Sequence, residues 1–197
     1  MYHIKYIIFI ILLFCSFSVF SQNYPFPSTR PGFSTGVYPI GLGNIAFEAG
    51  FSKMKSFAFD YNFINNLEFR FEDDFPGYIL SFKYLIYNPI KLPAIAILYN
   101  YQVNNSNILL LMQKSFGNFT LVYNTGIDIK HDLINSCSLT YNITNKIGAN
   151  IEVYNGSYDI GITYLINKDI QLDISYYRYN IINGGFIWRI NKIKKGI

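Results

Sequence analysis

Charge is scarce in this chain. Lys and Arg together number 16 and Asp and Glu 12, so charged residues make up 14%, roughly half the share usual in a water-soluble domain. The net charge of +4 is diffuse, with no basic cluster ahead of Lys192, Lys194 and Lys195, which argues against a nucleic-acid partner. Cysteine is nearly missing. Cys15 lies in the N-terminal apolar stretch, so the mature chain keeps only Cys137 and has neither an intrachain disulfide nor a cysteine metal site. No H-E-x-x-H, phosphate loop or metal-ligand spacing occurs, and no cofactor is expected. Beyond residue 21 no apolar run approaches the roughly 20 residues of a spanning helix, which excludes an inner-membrane helical bundle.

What is abundant suits strands and turns. The 18 Tyr and 18 Phe lift the aromatic share to 19%, and hydrophobic residues reach 51%. Residues 1–21 read as a secretory signal: Lys5 supplies the positive n-region, 6–20 the apolar core, and Val19, Phe20 and Ser21 the region before cleavage at Gln22. Residues 22–43 carry Pro25, Pro27, Pro31 and Pro39, which forbid a regular ladder. They form an extended lead-in that either lies under the folded body or enters its mouth, where Arg30 would meet carboxylates.

From residue 44 the pattern changes to period two. Ile45, Phe47, Ala49 and Phe51 alternate with Ala46, Glu48, Gly50 and Ser52; Leu67, Phe69 and Phe71 alternate with Glu68, Arg70 and Glu72. Successive side chains on a strand point to opposite faces, so each run has one apolar and one polar or small face. Twelve such runs follow, near 44–53, 56–63, 67–73, 78–88, 94–103, 107–115, 119–128, 134–143, 147–155, 157–166, 169–178 and 183–191. Turn formers such as Asn65-Asn66, Pro76-Gly77, Gly117-Asn118 and Asn155-Gly156 separate them.

The lengths match one membrane thickness. At roughly 3.3 Å per residue and a tilt near 40°, nine residues rise about 23 Å. A soluble sandwich would need edge strands with Lys, Glu or Pro on the exposed side, and few runs have them. The expected fold is therefore all-β: an antiparallel, up-and-down transmembrane β-barrel of about twelve strands with short loops, spanning 44–191 and followed by a basic tail, 192–197. Tyr99, Tyr101, Tyr141, Tyr176, Tyr177 and Trp188 suit an aromatic girdle. Twelve strands at that tilt give a backbone radius of roughly 12 Å, enough for a narrow passage after side chains fill in.

With aliphatics outward, the lumen-lining candidates are Glu48, Asp60, Glu68, Arg70, Glu72, Lys83, Asp159, Asp173 and Arg189, joined by Asn100, Gln102, Gln113, Asn124, Asp128 and Glu152. Acids outnumber bases. Buried ions must be paired or wet, so Arg70 between Glu68 and Glu72, with Glu48 on a nearby strand, forms the expected network. It would act either as a polar constriction that filters solutes or as a salt-bridged filling that closes the barrel. A hydrolytic alternative rests on His131 beside Asp132, with Asp128, Ser136 and Ser138 close in sequence. A solvated turn histidine explains the same residues.

The segment Thr29-Arg30-Pro31-Gly32, then Gly43, Ile45, Glu48, Gly50 and Phe51, resembles the start of the outer-membrane family named for the meta-pathway of phenol degradation. Leu67-Glu68-Phe69-Arg70-Phe71 looks like that family's early-strand motif, and 159–166, Asp173 and 185–189 are similar to its closing hairpin. The resemblance implies a barrel in the outer membrane of a Gram-negative cell and passive uptake of small, aromatic or hydrophobic solutes. It points to Glu48, Glu68, Arg70 and Asp173. Outer-membrane lipid, an unidentified small solute and the barrel-insertion machinery are the expected partners. The chain departs from the family in its short loops and in the lysine-rich tail that replaces a terminal aromatic. The alternative class is a non-conducting structural or adhesion barrel.

Overall fold

A computed structural model describes residues 36–51, 56–74, 77–103, 105–155, 157–177 and 181–191. The signal, Arg30 with the first part of the lead-in, and the basic tail lie outside the described residues. Twelve strands close into one antiparallel barrel: β1 (Ile45–Phe51), β2 (Ser56–Ile64), β3 (Leu67–Asp74), β4 (Gly77–Tyr87), β5 (Ala94–Tyr101), β6 (Asn107–Phe116), β7 (Phe119–Asp128), β8 (Leu133–Asn142), β9 (Ile147–Tyr154), β10 (Ser157–Leu165), β11 (Ile170–Tyr177) and β12 (Ile181–Ile190). Each strand pairs with its neighbours in sequence, and β1 closes on β12 with Ile45 opposite Ile190. An even strand number returns the chain to the rim where it entered. No helix occurs among the described residues.

Parity decides which solvent each side chain meets. On β10 and β11, Ile160, Ile162 and Ile174 are 50%, 52% and 55% exposed, whereas their neighbours Asp159 and Asp173 are 3% and 6% exposed. Buried carboxylates beside exposed isoleucines invert the soluble arrangement. Only a hydrocarbon exterior makes that inversion favourable, because each isoleucine left in water would forgo about 1.5–3 kcal/mol. Exposed Tyr99, Tyr101, Tyr141, Tyr176 and Trp188 stand on the same outer surface, and Trp188 packs 6.1 Å from Phe47. The side chain of Tyr177 is outside the described set. Lys114 is a charged exception on this face; its Nζ donates to the carbonyl of Lys91, so the ammonium snorkels toward the rim.

The tight turns follow their residues. Asn66 and Asn155 hold positive φ, +67° and +41°, a conformation that asparagine tolerates. Gly126 answers a different demand. A Cβ there would lie 1.9 Å from the Ile108 carbonyl oxygen and 2.8 Å from the Leu109 Cα. Those are backbone atoms and cannot swing aside. Gly126→Ala should therefore cost more than about 3 kcal/mol, beyond ordinary overpacking, read as a lower yield of the heat-modifiable folded band on gels.

The interior is not uniformly polar. Leu85, Ala94, Ala96, Leu98, Leu109 and Leu111 form an apolar wall on β4–β6, and Val37 of the lead-in is fully buried against it. Tyr38 and Ile134 pack at its border. Most strand limits fall within one residue of expectation, but β5 ends at Tyr101, not near 103, and β12 begins at Ile181, not near 183.

Candidate functional site in the lumen

The site starts from three adjacent strands. Register places Asp60 opposite both Ala46 and Arg70, and Ala58 between Glu48 and Glu72. The alanines leave room for the longer side chains to converge. The guanidinium of Arg70 then donates from Nη2 to Glu48 Oε2 at 2.8 Å, from Nη1 to Asp60 Oδ1 at 3.0 Å and from Nε to Glu72 Oε2 at 3.1 Å. Glu48 and Asp60 are almost wholly buried. One cation facing three carboxylates leaves an acidic surplus.

Glu68 does not belong to this fork. It sits opposite Lys83 across the β3–β4 ladder, and Lys83 Nζ lies 2.7 Å from Glu68 Oε1. Its second oxygen accepts the Ile40 backbone N–H at 2.7 Å. Sequence proximity alone suggested Arg70 as its partner, but residues two apart on a strand compete with the cross-strand neighbour, and here that neighbour is a lysine.

Through Glu68 the wall grips the lead-in. Val37 N–H donates to Gln113 Oε1 at 2.9 Å, Gly43 N–H to the Asn62 carbonyl at 2.7 Å, and Asn44 Nδ2 to the Ile40 carbonyl at 2.8 Å. Gly41 and Gly43, at φ +94° and +75°, allow the chain to hook. Val37, Tyr38 and Ile40 thus meet the inner wall, bonded to polar residues and packed on apolar ones, while Leu42 is 48% exposed.

The wall that continues from β1 through β12 to β9 carries further acids. Gln171 Nε2 donates to Asp173 Oδ1 at 2.9 Å, Arg189 Nη2 to Gln171 Oε1 at 3.0 Å, and Ser175 Oγ to Asp159 Oδ2 at 3.2 Å. Glu152 faces Asp159 across the β9–β10 ladder. Asn124 is buried on the inward face of β7, and Asn100 Nδ2 donates to Asn107 Oδ1 at 2.9 Å. Gln102 is not on the wall. β5 has ended, and Gln102 forms the following turn with Asn105 and Ser106, whose backbone N–H and Oγ donate to its carbonyl. Buried Gln171 and Ser175 were missed as lumen groups; their parity with Asp173 was the available signal.

His131 has a structural explanation. It holds φ +67° in the loop between β7 and β8, and Asp128 Oδ1 accepts the backbone N–H groups of Lys130 and Asp132. Asp128 is therefore occupied by the turn, and Ser136 is buried on the inward face. His131→Gly should leave transport unchanged and add up to about 1 kcal/mol of stability by relieving the left-handed backbone, as read from thermal melting.

A closed twelve-stranded barrel with a hydrocarbon-facing exterior and an ion-paired bore is a porin-like barrel of the outer-membrane kind. No family model and no curated protein matches the sequence, so the phenol-degradation family finds no counterpart among them. Among solved structures, a KdgM porin superposes with a TM-score of 0.55 at 9% identity, covering 76% of this chain and 99% of that one. A KdgM porin in complex with disordered oligogalacturonate gives 0.54 at 9% identity, with 76% and 99% covered. The Acinetobacter baumannii outer membrane protein Omp33 gives 0.45 at 8%, with 75% and 96% covered. The likeness is one of fold.

Proposed function

We propose that the protein is a narrow, self-restricted passage for small solutes in the outer membrane of a Gram-negative cell, with the N-terminal lead-in at the periplasmic mouth. The observation that carries the reading is the bore itself. Glu48, Asp60, Arg70 and Glu72 form a fixed polar constriction on one wall, while Val37 and Ile40 of the lead-in are bonded to inward side chains. A salt-bridged network of this kind is costly to bury dry, which favours a wet lumen. Oligogalacturonate, present with the KdgM porin, is a chain of carboxylates; the acidic surplus here would repel it. The apolar wall of Leu98, Leu109 and Leu111 suits the aromatic or hydrophobic solutes that the resemblance to the phenol-degradation family implies.

Liposome swelling tests the reading. Proteoliposomes in a graded series of solutes should swell fastest with the smallest, and uncharged sugars should pass faster than uronates of equal size. Swelling no faster than in empty liposomes would instead support the second reading, a non-conducting structural barrel, which the buried lead-in also favours.

A further inference from the structure

The wall of β9–β11 holds buried acceptors to which no described residue donates, although Arg189 of β12 places one guanidinium beside it. Asp159 Oδ1, Asp173 Oδ2 and Asn150 Oδ1 are buried and have no hydrogen-bond partner among the described residues, although the first two belong to side chains that are 3% and 6% exposed. Each aspartate already uses its other oxygen, Asp159 toward Ser175 and Asp173 toward Gln171. A buried acceptor left unsatisfied costs about 1–3 kcal/mol, more when charged. A solute that completes this wall donates hydrogen bonds, and Glu152, Asp159 and Asp173 against the one guanidinium of Arg189 favour a positively charged one.

Spacing and space narrow its chemistry. Asp173 lies opposite Thr163, four residues along β10 from Asp159, so the two carboxylates stand about 13 Å apart along the strand. Asn150 pairs with Gly161 between them. In the ladder row of Asp173, Gly185 and Gly50 follow on one side and Gly148 lies beyond Thr163 on the other. Glycine puts no side chain into the bore, and a Cβ on Gly148 would meet nothing nearer than 3.5 Å. No three His, Cys, Asp or Glu side chains converge on a metal position among the described residues, whereas a hard cation needs several oxygens at once. Single acceptors in succession fit N–H groups.

We propose that β9, β10 and β11 form a binding track for the guanidinium or ammonium group of a small organic cation, passed between Asp159 and Asp173. This deepens the passage reading and rests on it for direction of flow, but binding can be read without flow. The probe is methylguanidinium, with methylurea as its neutral isostere, titrated into the full mature chain folded in micelles while the backbone amide signals of Gly161 and Gly185 are followed. Methylguanidinium should shift both signals saturably and methylurea should not. The Asp159→Asn/Asp173→Asn double variant should lose the shift. Asp128→Asn, which makes the same kind of charge change at the rim and keeps a turn acceptor, should retain it; heat-modifiable gel migration confirms that each variant is folded.

Equal shifts with methylurea, an unaltered response in the double variant, or complete displacement by equimolar potassium would overturn the assignment, the last because an inorganic cation would then be the natural occupant. Binding that persists in a barrel that never conducts would uphold the track and defeat the passage. Conduction without any saturable shift would defeat the track alone.

Discussion

Deleting residues 22–43 should raise single-channel conductance severalfold. The reason is steric before it is chemical: Val37 and Ile40 are bonded to the inner wall of a bore whose backbone radius is only roughly 12 Å. The lead-in is held there by Gln113 on Val37 N–H, Glu68 on Ile40 N–H and the Asn62 carbonyl on Gly43 N–H. The barrel does not need them to close, because every strand is paired on both sides without them. Stability should fall modestly, since losing the buried Val37 side chain costs about 1.5–3 kcal/mol. A second variant keeps chain length constant. Val37→Asp sets a carboxylate against Ala96, Leu98 and Leu111 and should expel the segment, giving a similar conductance in planar bilayers.

Replacing Arg70 by alanine should have the largest effect on stability. Glu48, Asp60 and Glu72 would lose their shared cation within 3.1 Å, and removing one partner of a buried ionic group costs about 3–5 kcal/mol. Arg70→Lys should recover only part of it, because an ammonium is a point charge and cannot present three N–H directions to three carboxylates. Urea unfolding of the detergent-folded barrel reads both. Neutralising Glu48 and Asp60 together with Arg70 should restore much of the loss. If Arg70→Ala alone were as stable as the native barrel, the network would be a wet surface arrangement with no structural role.

Much of this architecture was legible from residue order. Alternation of Ile160 and Ile162 with Asp159 and Gly161 specified two solvents, since period two leaves no other explanation for one greasy and one polar face. The convergence of Glu48 and Arg70 was also visible, as early strands of a meander are neighbours. Partner choice was not. Whether Glu68 meets Arg70 or Lys83 depends on the β3–β4 register, which turn geometry and packing set and local sequence does not state. The apolar wall was hidden for a related reason. Aliphatics fill both parities in Ala94, Ile95, Ala96, Ile97 and Leu98, so the pattern cannot say which of them face inward. Val37 lies in a segment without periodicity, where proline forbids a ladder but does not choose between the bore and the surroundings.

Current through the intact chain tests the central claim most directly. In planar bilayers the full mature protein should give small, discrete, ohmic steps that fall off sharply for larger ions. A barrel shown by heat-modifiable migration to be folded and inserted, yet silent both with and without residues 22–43, would contradict it.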